Sequence, residues 1–332
     1  MITAAVAGFV GPLRNPFSLR WGSHVHSLNL GKSVVELDRW PAIDQVFVVR
    51  DPVMDCVTHR HVYRERALFR LQRATFEPVS GDVLLGGRPI AEGRSQPIGR
   101  VLTVGSVRSP RAWAQTPVVG LRSRTTYYHW MMEELPAALW ARQVEPALSV
   151  LVGGRRRVHV KESLELLGFP SIFTDHPTEV EALLLPDRGS DYGWPHPASV
   201  EILRRNLLPL VTSLSRRDAI YVSRFGSKRA PNCAAALESL ARDLGYKVLR
   251  LHEMPWKVQL KEFAHARRVV GQHGAGLANI ALCAPDTEVV ELMEAEYANP
   301  LYEVLSEHAG LAYHRELVDL EDIEAWKRAL QV

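Results

Sequence analysis

Residues 266–292 constrain the fold of this chain more than any other stretch. The run ARRVV at 266–270 has the composition of a buried strand, and 288–292 (EVVEL) is a second. Between them lie the small-residue segment Gly271, Gln272, His273, Gly274, Ala275, Gly276, Leu277, Ala278, Asn279 and a short helix over 278–283. A strand, a glycine-rich turn, a helix and a strand in that order form the unit from which parallel sheets are assembled. Small residues let backbone approach a ligand closely, and a helix start offers unpaired N–H groups to an anion. The same turn also suits a tight strand-to-helix connection in which glycine serves packing alone, and the turn by itself does not separate the two.

The surrounding sequence repeats the alternation. Helical spacing covers 200–214, with Ile202, Leu203, Leu207, Leu210, Val211 and Leu214 on one side. A strand follows at 219–223, then a helix at 233–244 closed by Gly245 and a strand at 247–251. A helix at 256–267 starts beside Pro255. Beyond the glycine turn come a helix at 299–309 closed by Gly310, a strand at 311–315 and a helix at 320–330. This is the pattern of a Rossmann-like domain. The first half is less regular. Strands are expected at 33–37, 46–49, 82–85, 101–104, 118–121, 148–152 and 181–185, and helices at 127–142 and 159–167. Gly189, Gly193, Pro195 and Pro197 mark a linker over 188–197. The expected architecture is α/β, with two Rossmann-like domains facing a cleft, one over 1–190 and the other over 191–332.

Composition narrows the chemistry. At 332 residues the chain is long enough for two cores, and its net charge of +3 does not describe a general nucleic-acid binder. Cys56, Cys233 and Cys283 are far apart and odd in number, without a C-x-x-C pair, which points away from a disulfide framework or a zinc site and towards a reducing compartment. No run approaches the roughly 20 apolar residues of a membrane helix. The apolar start at 2–10 lacks a basic flank, so a first strand is expected there rather than a secretion signal.

Three groups of residues carry chemistry. Arg224, Lys228 and Arg229 lie just past the 219–223 strand, and His273, Gly274, Ala275, Gly276, Leu277 and Asn279 lie past another. Guanidinium groups fork onto phosphate oxygens and a lysine adds a point charge, so the two strand ends together describe a diphosphate pocket. A solvated basic loop is the simpler alternative. Glu291 ends the strand at 288–292, where an acid can accept from ribose hydroxyls or pair with an arginine. His129 and Glu133, at i and i+4, share a helical face beside the core stripe of Met132, Leu135 and Leu139. A carboxylate that fixes the imidazole tautomer makes a general base, although the same spacing serves a buried structural pair. With no third ligand in view, no metal is assigned. Pro136 is expected to kink or break the helix.

The run YYHWMMEELP at 127–136 resembles the HW-x-x-E-x-LP segment of glycosyltransferase family 61. Arg224, Arg229 and Asn232, the run QHGAGLAN at 272–279 and VVEL at 289–292 are similar to its later blocks, in the same order. That family includes bacterial capsule-type proteins, plant xylosyl- and arabinosyltransferases and animal protein O-N-acetylglucosaminyltransferases. The resemblance implies a GT-B fold, inversion at the sugar carbon and a nucleotide-sugar donor, most often a UDP-sugar, held by the C-terminal domain. It further implies a glycan or lipid-linked glycan acceptor, a role in bacterial surface polysaccharide synthesis, and a cytoplasmic site of action at the inner face of a membrane. No other cofactor and no nucleic-acid partner is implied. The chain has no Asp-x-Asp, so cations and backbone N–H groups are expected to meet the diphosphate charge without a metal. Cys233, where the family pattern has an acid after Asn232, is a departure. Among competing classes, a lipase-type hydrolase lacks its G-x-S-x-G elbow and a dehydrogenase its G-x-G-x-x-G. A non-catalytic nucleotide- or glycan-binding protein on the same fold remains the alternative.

Overall fold

The computed structural model describes residues 34–49, 57–63, 65–78, 81–86, 88–91, 112–114, 116–122, 126–153, 157–187, 194–211, 218–294 and 299–331. The strand expected at 101–104, the apolar start at 2–10, Cys56 and most of the 188–197 linker lie outside these residues.

The first half builds on one mixed sheet. Its strands are β1 (Val34–Trp40), β4 (Arg66–Phe76), β5 (Val83–Leu85), β6 (Arg88–Ala91), β7 (Ala112–Ala114), β8 (Val118–Leu121), β9 (Ser149–Val152), β10 (Ser171–Phe173) and β11 (Thr178–Pro186). β2 (Ile43–Val49) and β3 (Val57–Tyr63) pair separately, antiparallel. The main order is β10-β9-β8-β11-β4-β5-β6. β10, β9, β8 and β11 are mutually parallel, as expected of the α/β alternation after residue 118. From β11 outwards the pairing turns antiparallel. The half expected to be Rossmann-like is therefore parallel on one side only. β4, its longest strand, was not among the expected elements. It pairs with β11 along one edge and with both β1 and β5 along the other.

Three helical pieces run end to end between β8 and β9: Tyr127–His129, a π-helical turn Trp130–Glu134, and Leu135–Val144, together α1. Where a kink or break is expected at Pro136, the helix continues. Proline lacks the N–H that would bond four residues back, and its ring crowds the carbonyl there. The helix accommodates this by widening just before it, so that Leu135 N–H reaches Trp130 O, and Pro136 falls in the first turn of the following α-helix. α2 (Val158–Leu166) links β9 to β10, and α3 (Pro197–Val211) follows β11.

The second half is the Rossmann-like unit expected from its alternation. β12 (Asp218–Val222), β13 (Lys247–Leu249), β14 (Ala266–Gln272), β15 (Glu288–Met293) and β16 (Ala312–Leu317) are all parallel, in the order β13-β12-β14-β15-β16. The connecting helices are α4 (Ala234–Asp243), α5 (Trp256–Ala264), a 3-10 helix Ala275–Leu282, α6 (Leu301–Ala309) and the terminal α7 (Ile323–Gln331). Gly245 and Gly310 adopt the left-handed conformation beyond α4 and α6, as helix ends require. Alternate residues of each strand serve opposite faces. Tyr221, Val270 and Val290 pack with Leu237 of α4 and Trp326 of α7. Ile220, Val222, Val269 and Val289 face the other way, into a core continuous with Leu203 and Leu207 of α3, Leu135 and Leu139 of α1, and Val119, Val150 and Leu184 of the first sheet. One apolar layer thus joins the two sheets.

Polar bonds fix the register of that layer. Tyr127 Oη donates to Asn279 Oδ1 at 2.5 Å and accepts from Trp256 Nε1 at 2.8 Å. Glu162 of α2 accepts the Trp256 backbone N–H at 2.6 Å, which caps the start of α5. Arg204 of α3 donates to the carbonyls of Ala281 and Cys283 at 2.9 and 2.7 Å, closing the end of the 3-10 helix. No helix among the described residues is long and apolar enough to cross a membrane.

Candidate active site

In a parallel sheet, ligands gather beyond the carboxyl ends of the strands, where chain order reverses. Here that point lies between β12 and β14, since β13 sits outside β12 and β15 outside β14. Ser223 and Arg224 follow the end of β12, and His273 and Gly274 follow Gln272 at the end of β14. The two groups expected from sequence to share a pocket are thus brought to adjacent strand ends.

Arg224 is the central cation. Its Nη1 lies 3.4 Å from the His273 carbonyl, and its Nε is buried without a hydrogen-bond partner. No carboxylate pairs with it among the described residues. Burial first, and then the charge of Arg229, push its pKa down, which marks positive charge held out of water without compensation. Such a group gains strongly from an anion. Arg229 and Lys228 are exposed on the same turn.

Gly274 makes the approach of Arg224 feasible. A Cβ at 274 would sit 1.8 Å from Arg224 Nη1. Its backbone is extended (φ 164°, ψ 167°), so glycine is needed here for space and not for a left-handed turn. Tyr302 Oη donates to the Gly274 carbonyl at 2.7 Å and holds the turn from the α6 side. The 3-10 helix opens at Ala275, so the N–H groups of Ala275 and Gly276 precede any intrahelical acceptor, and the Leu277 N–H is the first to be used, by Gly274 O at 2.9 Å. The helix start therefore points two backbone donors where Arg224 also arrives.

Three of the sequence-selected residues stand behind this surface. The Leu277 side chain belongs to the core. Asn279 is fully buried and its amide oxygen holds Tyr127. Glu291 is fully buried, with Oε1 2.5 Å from His273 Nδ1 and Oε2 accepting from Tyr313 Oη. With both oxygens engaged and no exposure, Glu291 orients His273 and is not available to ribose hydroxyls.

The first sheet contributes at the carboxyl end of β8. Arg122 follows that strand, and its guanidinium is bracketed by two buried carboxylates. Its Nε donates to Glu134 Oε1 at 2.6 Å, its backbone N–H to Glu134 Oε2 at 2.9 Å, and its Nη2 to Glu133 Oε2 at 3.3 Å. The remaining oxygen of Glu133 lies 2.6 Å from His129 Nδ1. The π turn is what places two successive glutamates on one guanidinium, and such turns often occur at functional sites. His129 retains 24% side-chain exposure, whereas Glu133 retains 1%. Burial acts to lower the His129 pKa, but the hydrogen bond and charge of Glu133 outweigh it, so the pKa is raised overall. The pair expected at i and i+4 is thus a partly exposed imidazole backed by a buried carboxylate. Sequence reasoning missed Arg122 and Glu134; the position of Arg122 immediately after the expected strand at 118–121 was the available signal.

Aromatic contacts connect the two strand ends. Tyr128 packs edge-on to His129 (5.5 Å between ring centres) and to Tyr302 (6.1 Å), and Tyr302 lies 5.3 Å from His273. Among the described residues no group of three His, Cys, Asp or Glu side chains is arranged to hold a metal ion.

Comparison with known proteins covers the same region. A 144-residue stretch is 28% identical to the rice (Oryza sativa subsp. japonica) beta-1,2-xylosyltransferase RCN11, covering 38% of this chain and 27% of that protein. A 64-residue stretch is 34% identical to a beta-1,2-xylosyltransferase of Arabidopsis thaliana, covering 19% of this chain and 12% of that one. The chain thus spans about a quarter or less of the relatives it matches. Among solved structures, the iron-containing heptosyltransferase TibC aligns over 81% of both chains at 10% identity with a TM-score of 0.33, too slight a likeness to carry an argument. Residues 127–290 match the family described as Glycosyltransferase 61, a span that holds His129, Glu133, Arg224 and the 273–279 turn, and leaves Arg122 and Glu291 just outside. Over residues 127–290 the chain carries a glycosyltransferase family 61 domain.

Proposed function

We propose that this protein is an inverting glycosyltransferase that moves a sugar from a nucleotide-sugar donor, a UDP-sugar, to a hydroxyl of a glycan or lipid-linked glycan acceptor without a metal ion. The observation that carries this is a pairing. A partly exposed imidazole backed by a buried carboxylate sits at one strand end, and a half-buried guanidinium with no carboxylate partner among the described residues sits at the other, with ring contacts between them.

The chemistry follows from what each end can do. Inversion needs one displacement at the sugar carbon, with the acceptor proton removed as the hydroxyl oxygen attacks. Glu133 accepts from His129 Nδ1–H, which leaves Nε2 with the lone pair that takes that proton. Glu133 then stabilises the imidazolium. The buried Glu133, held by Arg122, orients the base and does not itself reach the acceptor. On the other side, negative charge grows on the departing diphosphate. Arg224, with Arg229 nearby, and the N–H groups of Ala275 and Gly276 are preorganised to meet it. Lys228 adds charge at the rim.

In this reading 1–190 forms the acceptor side and 191–332 the donor side of a GT-B arrangement. The parallel second sheet with its switch point supports the donor assignment. Surface polysaccharide synthesis at the cytoplasmic face of a bacterial membrane is the setting we attach to it. The named activity of the plant relatives makes UDP-xylose the first donor to assay. Calorimetry with UDP in buffer containing EDTA tests the core of the proposal. Binding is expected to survive chelation. Binding that disappears with EDTA and returns with Mg²⁺ or Mn²⁺ would remove the metal-free pocket.

A further inference from the structure

Beside Arg224, on the side away from Gly274, lies a second prepared surface that the transfer chemistry does not use. Phe225 is 37% exposed although it follows a central strand. The Arg250 guanidinium, just past β13, lies 4.3 Å over its ring. Arg250 is fixed in turn by Glu238 of α4, which is 2% exposed and accepts Arg250 Nε at 2.7 Å and Nη2 at 2.8 Å. Glu238 also accepts from Ser223 Oγ at 2.6 Å, and Ser223 Oγ accepts the Phe225 backbone N–H at 3.0 Å. Arg242 adds a further bond to Glu238, and these cations hold the Glu238 carboxyl at about 2, well below its ordinary value.

Four residues from β12, α4 and the end of β13 therefore fix the plane of one exposed aromatic ring. Fastening a surface loop does not require that ring: Ser223, Glu238 and Arg250 already close on one another. A ring held in one orientation, with one face against a guanidinium, offers its remaining surface to another flat π-system. The neighbouring observation says which. Arg224, one residue earlier, reaches across to the β14 end and carries a buried Nε without a partner. The anion site lies past β14, and the ring stacks on Arg250, which follows β13; those two strand ends are two strand spacings apart, roughly 10 Å, a span that a nucleoside diphosphate bridges.

We infer that Phe225, held by Arg250, Glu238 and Ser223, is the stacking platform for the base of the donor nucleotide. The inference rests on the proposed nucleotide-sugar site and adds to it the part that recognises the nucleoside. Phe225 contacts the ligand; Arg250, Glu238 and Ser223 are positioning residues. Because every base has a π-face, such a platform supplies affinity more than base selectivity.

The test compares ligands that carry a base with one that does not. UDP, GDP, ADP and inorganic pyrophosphate are titrated into the full chain and its Phe225→Ala and Phe225→Trp variants. Phe225→Ala is expected to weaken the tightest nucleotide about 5- to 150-fold, to leave pyrophosphate binding unchanged, and to be rescued by Phe225→Trp. Unchanged nucleotide binding in Phe225→Ala would overturn the platform alone. So would an equal loss for nucleotide and pyrophosphate, because the ring would then merely hold the loop. If the wild-type chain binds pyrophosphate but none of the nucleotides, the platform fails and an anion site remains. If it binds none of the four, the donor-site reading fails with it.

Discussion

The contact between Gly274 and Arg224 gives the sharpest test of the donor site. In Gly274→Ala the new methyl would sit 1.8 Å from Arg224 Nη1, where about 3.5–4 Å is needed. The guanidinium must withdraw by roughly 2 Å. The backbone does not resist, because φ 164° is extended conformation that alanine adopts freely. The fold should therefore change by less than about 1 kcal/mol, while the diphosphate loses a charge-assisted contact worth about 1.5–3 kcal/mol. Affinity for UDP should fall roughly 10- to 150-fold. Calorimetry with UDP and urea denaturation of the same variant separate the two effects. Gly276→Ala serves as a control, since its methyl would meet only the flexible end of Leu251, at 2.7 Å. The double variant with Arg224→Ala decides the mechanism. If Gly274 acts through Arg224, the double variant binds UDP no worse than Arg224→Ala alone, and losses that simply add would refute that coupling. Arg224→Ala should also stabilise the ligand-free chain, because a buried, unpaired guanidinium nitrogen costs free energy. A wild-type affinity in Gly274→Ala would end the argument.

Three further outcomes are expected. His129→Ala should keep UDP binding and lose transfer by about 10²- to 10⁴-fold, whereas Glu133→Gln should lose less. As the proposed base, His129 would act unprotonated, and Glu133 raises its pKa, so turnover should fall as pH drops through a value above that of an ordinary imidazole, and Glu133→Gln should move that limb to lower pH; a limb that stays in place would exclude His129. Tyr127→Phe should destabilise the fold by about 2–4 kcal/mol, measured by urea denaturation, because Trp256 Nε1 and Asn279 Oδ1 each lose a buried partner; a change near zero would mean that these two bonds add nothing to the packing of the layer.

The second half of the fold was legible because each strand there is a short apolar run bounded by a helix with its own stop, such as Gly245 or Gly310. Periodicity and turn residues both act over a few positions, and parallel sheets are assembled from such local units. β4 escaped because its burial alternates irregularly, with Arg70, Gln72 and Arg73 among its apolar residues, and because its partners β1 and β11 lie far away in sequence. The site shows the same division. Arg224, His273 and Gly274 could be read at strand ends. The burial of Glu291 and Asn279 could not, because it depends on Tyr313 and Tyr127, contributed by distant elements. The π turn was visible only as a misplaced proline.

The two strand ends differ in a way that suits displacement. Around β8 two carboxylates, Glu133 and Glu134, meet on the Arg122 guanidinium, and Glu133 also holds His129 and raises its pKa. Around β12 and β14, Arg224 has no carboxylate partner among the described residues, and Arg229 is close enough to lower its pKa. In the proposed reaction a proton leaving the acceptor moves positive charge towards the first end, while the departing diphosphate carries negative charge to the second. Both ends would then meet that charge with groups already in place, which is the condition under which preorganised charge lowers a barrier without reorganising during the step. The apolar layer between the sheets, fastened at Tyr127 and Arg204, is what holds the two ends in place.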